Sequence, residues 1–156
     1  AKSAVASAFG CKFLGYELWV AKGKEVKCAV AYKALDNFKA RIRQLTRRSG
    51  GRSMTQVVDK LRPYMQGWKA YFGMAQTPKV WRELDKWLRH RLRAIQLKQW
   101  KRPRTIYREL KALGAKENVA LQVAGNSRRW WRNSDRLLKT VLTIAYFDGL
   151  GVPRLS

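Results

Sequence analysis

Arg82, Lys86, Arg89 and Arg93 stand at i, i+4, i+7 and i+11, the spacing that lines side chains along one face of a helix. Lys98, Lys101, Arg102 and Arg104 carry the charge onward, and Glu83 and Asp85 are the only acids nearby. Such a row can bind phosphates. A merely solvated face ordinarily mixes signs to gain i,i+4 pairs, whereas like charges at that spacing destabilise the helix. A one-signed face is therefore read as a surface for a polyanion. Arg128-Arg129-Trp130-Trp131-Arg132-Asn133 interleaves cations with aromatics in what reads as a loop between helices, where an unpaired base could stack. One of its two tryptophans is expected to anchor the loop to the core. Trp68, Trp81 and Trp87 fall on apolar stripes and read as packing residues.

Catalytic chemistry has little to work with. His90 is the only histidine, without the Cys or His partners of a metal site and without a nucleophile–base motif. It is expected to be exposed or to face phosphate. Glu83 and Asp85, two residues apart, point to different faces of a helix, so paired-acid and two-metal mechanisms find no support. Cys11 and Cys28 make neither a disulfide framework nor a metal pattern, and read as reduced thiols of a cytoplasmic protein.

The chain around these residues has 156 positions, 34 Lys plus Arg against 10 Asp plus Glu, and a formal charge of +24. At 46% hydrophobic content it can bury a core, which excludes simple disorder. Its apolar runs are too short and too often broken by Lys or Arg to span a membrane. Nor does any helix pair a wide apolar face with low hydrophobicity, as a membrane-surface helix would. The excess charge concerns partners rather than fold. With 12% aromatic residues, seven of them Trp, nucleic acid is the favoured partner. Ala1-Lys2-Ser3-Ala4-Val5 lacks an initiator Met and a signal-peptide core, and the chain is expected to be a piece of a longer one.

The elements that must position these groups are mainly helical. Residues 13–30 read as a β-hairpin turning at Lys22-Gly23, a register that sets Cys28 opposite Glu17. A lone hairpin is marginal, so it is expected to belong to a larger sheet or to pack on helices. Leu35, Phe38, Ile42 and Leu45 recur at helical spacing up to Ser49-Gly50-Gly51. Ser53-x-x-Gln56 is a capping box opening the next helix. Pro63 predicts a break at Arg62 and a new helix to about Gly73. Thr77-Pro78 starts a long helix to about Trp100, Thr105 to Leu113 a short one closed by Gly114, and 116–124 another. A last helix is expected from Ser134-Asp135 to Tyr146, burying Leu138, Val141, Leu142 and Ala145, with Gly149 to Pro153 as a tail. The fold class is mainly α: a helical bundle preceded by a short β-hairpin.

Three segments, in order, resemble the maturase region of bacterial group II intron-encoded proteins. Leu61-Arg62-Pro63-Tyr64-Met65-Gln66-Gly67-Trp68-Lys69-Ala70-Tyr71-Phe72 is similar to the family's Leu-x-Pro-x-x-x-Gly-Trp-x-x-Tyr-Phe signature. Leu84-Asp85-Lys86-Trp87-Leu88-Arg89-His90-Arg91-Leu92-Arg93 resembles its Leu-Asp-x-Trp-(Ile/Leu)-Arg-x-Arg-Leu-Arg segment, and Lys98-Gln99-Trp100-Lys101-Arg102-Pro103 its Lys-Gln-Trp-Lys-(Arg/Lys)-Pro continuation. Leu113-Gly114 and the loop at Trp130-Trp131 fit the family's pattern C-terminal to that run. Upstream, Lys2-Ser3 and Phe13-Leu14-Gly15-Tyr16 are similar to the last palm strands of a reverse transcriptase.

The resemblance implies the C-terminal part of a reverse transcriptase/maturase: residues 1–30 from the end of the palm, 31–125 the thumb or X helical domain, and 126–156 a basic aromatic loop, helix and tail. The partners it implies are group II intron RNA, an RNA/DNA template–primer and the missing N-terminal reverse transcriptase part. The parent family is an RNA-directed DNA polymerase. The paired-Asp motif is absent here, so the fragment is expected neither to polymerise alone nor to hold a metal, with Mg belonging to the palm. The residues expected on nucleic acid are Arg82, Lys86, Arg89, Arg93, Lys98, Lys101, Arg102, Arg104, Arg128, Arg129, Trp130 and Arg132. Two alternatives stand beside this reading: a free-standing basic RNA-binding module, and a generic DNA-binding helical protein.

Overall fold

A computed structural model describes residues 12–156. Cys11 and Lys2-Ser3 lie outside the described residues. Three short antiparallel strands, β1 (Lys12–Phe13), β2 (Tyr16–Val20) and β3 (Val26–Val30), form a sheet in the order β1-β2-β3. Leu18, not Glu17, pairs with Cys28, because the hairpin closes with Ala21 N–H on the Glu25 carbonyl at 2.9 Å and its loop is longer than two residues. The sheet packs on the helices through its aromatics: the Tyr16 and Phe72 rings lie 5.2 Å apart, and the Tyr71 hydroxyl donates to the Leu14 carbonyl at 2.9 Å. Gly15 makes that approach possible. Its φ is +84°, and a Cβ there would come within 3.1 Å of the Phe72 ring.

Seven α-helices succeed the sheet. α1 (Tyr32–Leu45) buries Phe38, Ile42 and Leu45, and α2 (Met54–Phe72) buries Val57, Val58, Leu61 and Met65. Ser53 and Gln56 make the expected reciprocal cap, at 3.2 and 3.0 Å. α2 does not break at Pro63. The apolar stripe holds its phase across the proline, and both Pro63 and Asp59 are exposed, so the carbonyl left without a partner can be hydrated. Tertiary packing of the stripe outweighs the one lost bond.

α3 (Pro78–Trp100) is the central rod, its residues from Leu92 to Leu97 buried around the whole circumference. α4 (Pro103–Ala112) and α5 (Glu117–Gly125) form a helical pair closed by Gly114 at φ +83°. The segment Ser127–Asp135 is helical, not a loop: a 3-10 turn over Ser127–Arg129 leads into α6 (Trp130–Asp135). The long helix expected from Ser134 to Tyr146 is instead a 3-10 turn at Leu138–Thr140 and α7 (Ile144–Gly149), with Thr143 capping α7 through a 3.3 Å bond from Tyr146 N–H. Leu138 and Leu142 are buried as expected, whereas Ala145 is exposed.

The last residues are no loose tail. Val152 and Leu155 join the same hydrophobic core as Phe38, Leu61 and Leu88. Among the described residues no helix is long and apolar enough to cross a membrane.

Candidate nucleic-acid interface

The row on α3 is not a cationic face. Arg82 and Lys86 are exposed, with Lys86 bound to Glu83 at 2.9 Å, but Arg89 and Arg93 point inward. Arg89 has no exposed surface. It donates to Asp85 at 3.0 Å, to Asp148 at 3.1 Å and to the Pro153 carbonyl at 3.3 Å. Asp85, itself buried, accepts in addition from Leu155 N–H, from Ser156 N–H at 2.9 Å and from the Ser156 hydroxyl at 2.9 Å. Arg93 donates through Nε to the Leu142 carbonyl at 2.8 Å, and burial pulls its pKa down to about 10. The reason is geometric. On a helix buried nearly all round, i and i+4 positions are as inward as the leucines between them, and two carboxylates, one of them distant in sequence, meet the charge of Arg89. Arg89 and Arg93 therefore tie the C-terminal segment to α3 and are withdrawn as phosphate contacts.

The unmatched cations converge elsewhere, at the C-terminal end of α3. Lys98 and Lys101 line a cleft of about 550 Å³ with Arg47, Arg48 and Arg52 from the α1–α2 loop. A second recess of about 220 Å³ continues from it, sharing Arg48, Lys98 and Lys101 and adding Arg128 and Trp130. Neither is lined by a carboxylate. The Arg48 guanidinium carbon sits 4.1 Å from the centroid of the Trp130 ring, a cation–π contact that joins the loop to α6. The Arg48 Nε is buried without a partner among the described residues, and burial lowers its pKa. Arg102 and Arg104 are exposed and line neither cleft.

Inward-turned side chains hold this arrangement. Arg91 donates to the Thr46 hydroxyl at 2.7 Å and to its carbonyl at 3.2 Å, fixing the end of α1 where the basic loop begins. Gln99 donates to the Arg52 carbonyl at 3.0 Å, fixing the other end of that loop. His90 is half-buried against α6 rather than exposed. Its ring stacks on Trp131 at 3.7 Å, and its Nε2 lies 2.9 Å from the Trp131 carbonyl, seating α6 on α3.

Of the residues singled out from the sequence, Lys98, Lys101, Arg128 and Trp130 come together. Arg129 and Arg132 face away, into a separate cleft with Arg136. Sequence reasoning passed over Arg47, Arg48 and Arg52. The legible signal was cations bracketing Ser49-Gly50-Gly51, where the chain reverses and brings them towards the end of α3.

Among the described residues no group of three or more His, Cys, Asp or Glu side chains is placed to share a metal ion. No curated protein matches the chain in sequence. The maturase-specific domain of group II introns matches residues 35–114, from the first turn of α1 to the close of α4, taking in Arg47, Arg48, Arg52, Lys98 and Lys101. That match covers just over half of the chain, which belongs to the group II intron maturase-specific domain family, a membership implying binding of group II intron RNA in splicing.

Proposed function

We propose that the cleft between the α1–α2 loop, the end of α3 and the Arg128–Trp130 turn is where the chain grips group II intron RNA, steadying its splicing-competent fold. The observation that carries this is an absence of sign-mixing: Arg47, Arg48, Arg52, Lys98, Lys101 and Arg128 converge with no carboxylate among them. Cations held that close repel one another unless an anion offsets them. Phosphates meet the ammonium and guanidinium groups, and the Trp130 ring, half-buried beneath Arg48, offers an edge for an unpaired base.

The same cleft would grip an RNA/DNA template–primer if the chain is the thumb of a reverse transcriptase. One observation supports that second role. The small sheet and its first turn expose Phe13, Leu14, Trp19, Val20 and Val26, an apolar surface of the kind that packs against a further layer. Arg102 and Arg104 add exposed cations just after Lys101 in the chain, and Arg82 and Lys86 stand exposed on the other half of α3.

The test is a salt titration of RNA binding for Lys98→Gln/Lys101→Gln. Both side chains are exposed, so the fold should stand. If each meets a phosphate, the slope of log K against log salt should flatten by about 1.4 for a single strand, roughly 0.7 per contact. An unaltered slope would remove this cleft from the interface. Competition between intron RNA and duplex DNA separates the maturase reading from general nucleic-acid binding.

A further inference from the structure

The 3-10 turn at Ser127–Arg129 is a ridge between two clefts. Arg128 and Trp130 face the cleft of the proposed RNA grip, whereas Arg129, Arg132 and Arg136 line another, of about 270 Å³, that shares no residue with it. These three arginines are exposed, and among the described residues none forms an ion pair. The remaining wall is largely carboxamide: Gln122, Asn126 and Asn133.

The amides are not equivalent. Asn133 donates to the Asn126 carbonyl at 2.9 Å, and Asn126 to the Gln122 carbonyl at 3.1 Å, so an N–H of each is committed to the end of α5. They also cover two of the carbonyls that would otherwise turn negative charge towards the cleft. The Gln122 side chain has no hydrogen-bond partner among the described residues. A free carboxamide presents a donor and an acceptor side by side, the pattern that pairs with the edge of a nucleobase. Guanidinium planes supply both phosphate contacts and a stacking surface.

We infer that this cleft is a second RNA subsite, holding one unpaired nucleotide with its phosphate on Arg132 and Arg136 and its base edge on Gln122. The inference rests on the RNA-binding reading of the first cleft and adds base discrimination to it. At about 270 Å³ the cleft sits just below the roughly 300 Å³ where small-molecule sites begin, enough for one nucleotide and not for a helix. The strand would cross the ridge, leaving its neighbours in the cation-lined cleft beyond.

The experiment compares binding of short homopolymers of adenylate, cytidylate and uridylate by fluorescence anisotropy over a range of salt. The wild-type protein should separate the best from the worst by roughly fivefold or more. Gln122→Ala should collapse that spread to below about twofold while keeping the salt slope. Arg132→Gln/Arg136→Gln should weaken all three alike and flatten the slope by about 1.4. A spread that survives Gln122→Ala overturns the inference, as does a wild-type protein indifferent to base. So does a slope untouched by the arginine substitutions. Should affinity respond to Lys98 and Lys101 but show no base preference, the subsite fails and the first cleft stands. If the protein binds no RNA, both fail together.

Discussion

Arg89→Met separates an RNA ligand from a structural tie. Arg89 is fully buried, and its guanidinium serves two carboxylates and a carbonyl: Asp85 at 3.0 Å, Asp148 at 3.1 Å and Pro153 O at 3.3 Å. Methionine fills much of the same space without the charge. The loss is then set by what remains: a carboxylate at Asp85 that is only 5% exposed, hydrogen-bonded by neutral donors from Leu155 and Ser156, with Arg154 acting on it only through space. Breaking a buried pair from one side costs about 3–5 kcal/mol. For a chain of this size each kcal/mol lowers Tm by roughly 2–4 °C, so the variant should melt about 6–20 °C below the wild type. The assay is thermal unfolding by circular dichroism beside a salt titration of RNA binding at a temperature where the variant is still folded. The RNA slope should not move, because Arg89 reaches no solvent. Arg89→Met/Asp85→Leu should recover part of the loss, since an apolar pair in place of a buried ionic one is often tolerated. A variant with wild-type Tm and a flatter salt slope would refute the structural role and restore Arg89 as a phosphate contact.

Two further outcomes are expected from the same tie. Removing residues 152–156 takes Val152 and Leu155 from the core and three donors from Asp85, so urea unfolding should show a loss of at least about 3 kcal/mol, against little change for a trailing tail. The hydrogen bond from Arg154, with the nearby Arg89, holds the Asp148 carboxyl below its ordinary 3.8 despite partial burial. A depressed folded-state pKa contributes stability that is complete above the unfolded value and lost as pH falls through the folded one. The stability gap between wild type and Asp148→Asn should thus stay level from neutral pH to about pH 4 and narrow below it; a gap that narrows near neutrality would count against Asp148 as the titrating group.

The parts of the fold that could be read from sequence are those where neighbours along the chain decide the outcome. The Ser53–Gln56 cap and the Gly114 stop needed nothing from afar, and Pro78 starts α3 as expected although Thr77 makes no side-chain cap there; α1 to α5 lie close to where periodicity puts them. Pro63 predicts a break where only the lost hydrogen bond is counted, whereas α2 continues because the apolar face on both sides of it is buried. The candidate site suffered more. Helical spacing can say that Arg82, Lys86, Arg89 and Arg93 share a side; it cannot say whether that side meets water. Asp148 lies 59 positions from Arg89, and no local pattern ties them. Likewise, the cleft cations come from Arg47, Lys98 and Arg128, brought together only by the crossing of α1, α3 and the turn before α6.

The placement of the few acids makes the strongest case for a polyanion. With 10 carboxylates to 34 cations, the fold cannot neutralise its surface and must choose where negative charge goes. Asp85 and Asp148 go inward, to Arg89, and Asp148 also meets Arg154. Glu83, Glu109 and Glu117 pair with Lys86, Arg108 and Lys111, all away from the basic clefts. Were stability the only constraint, an acid opposite Lys98 or Arg128 would relieve more repulsion than an exposed Glu83–Lys86 pair supplies, since surface pairs are worth little where charge is already balanced. The cleft of Arg48, Lys98 and Lys101 therefore keeps a repulsion that the groups lining it do not offset. A phosphate strand would offset it, and binding only the folded state it would raise Tm by mass action, the more so at low salt.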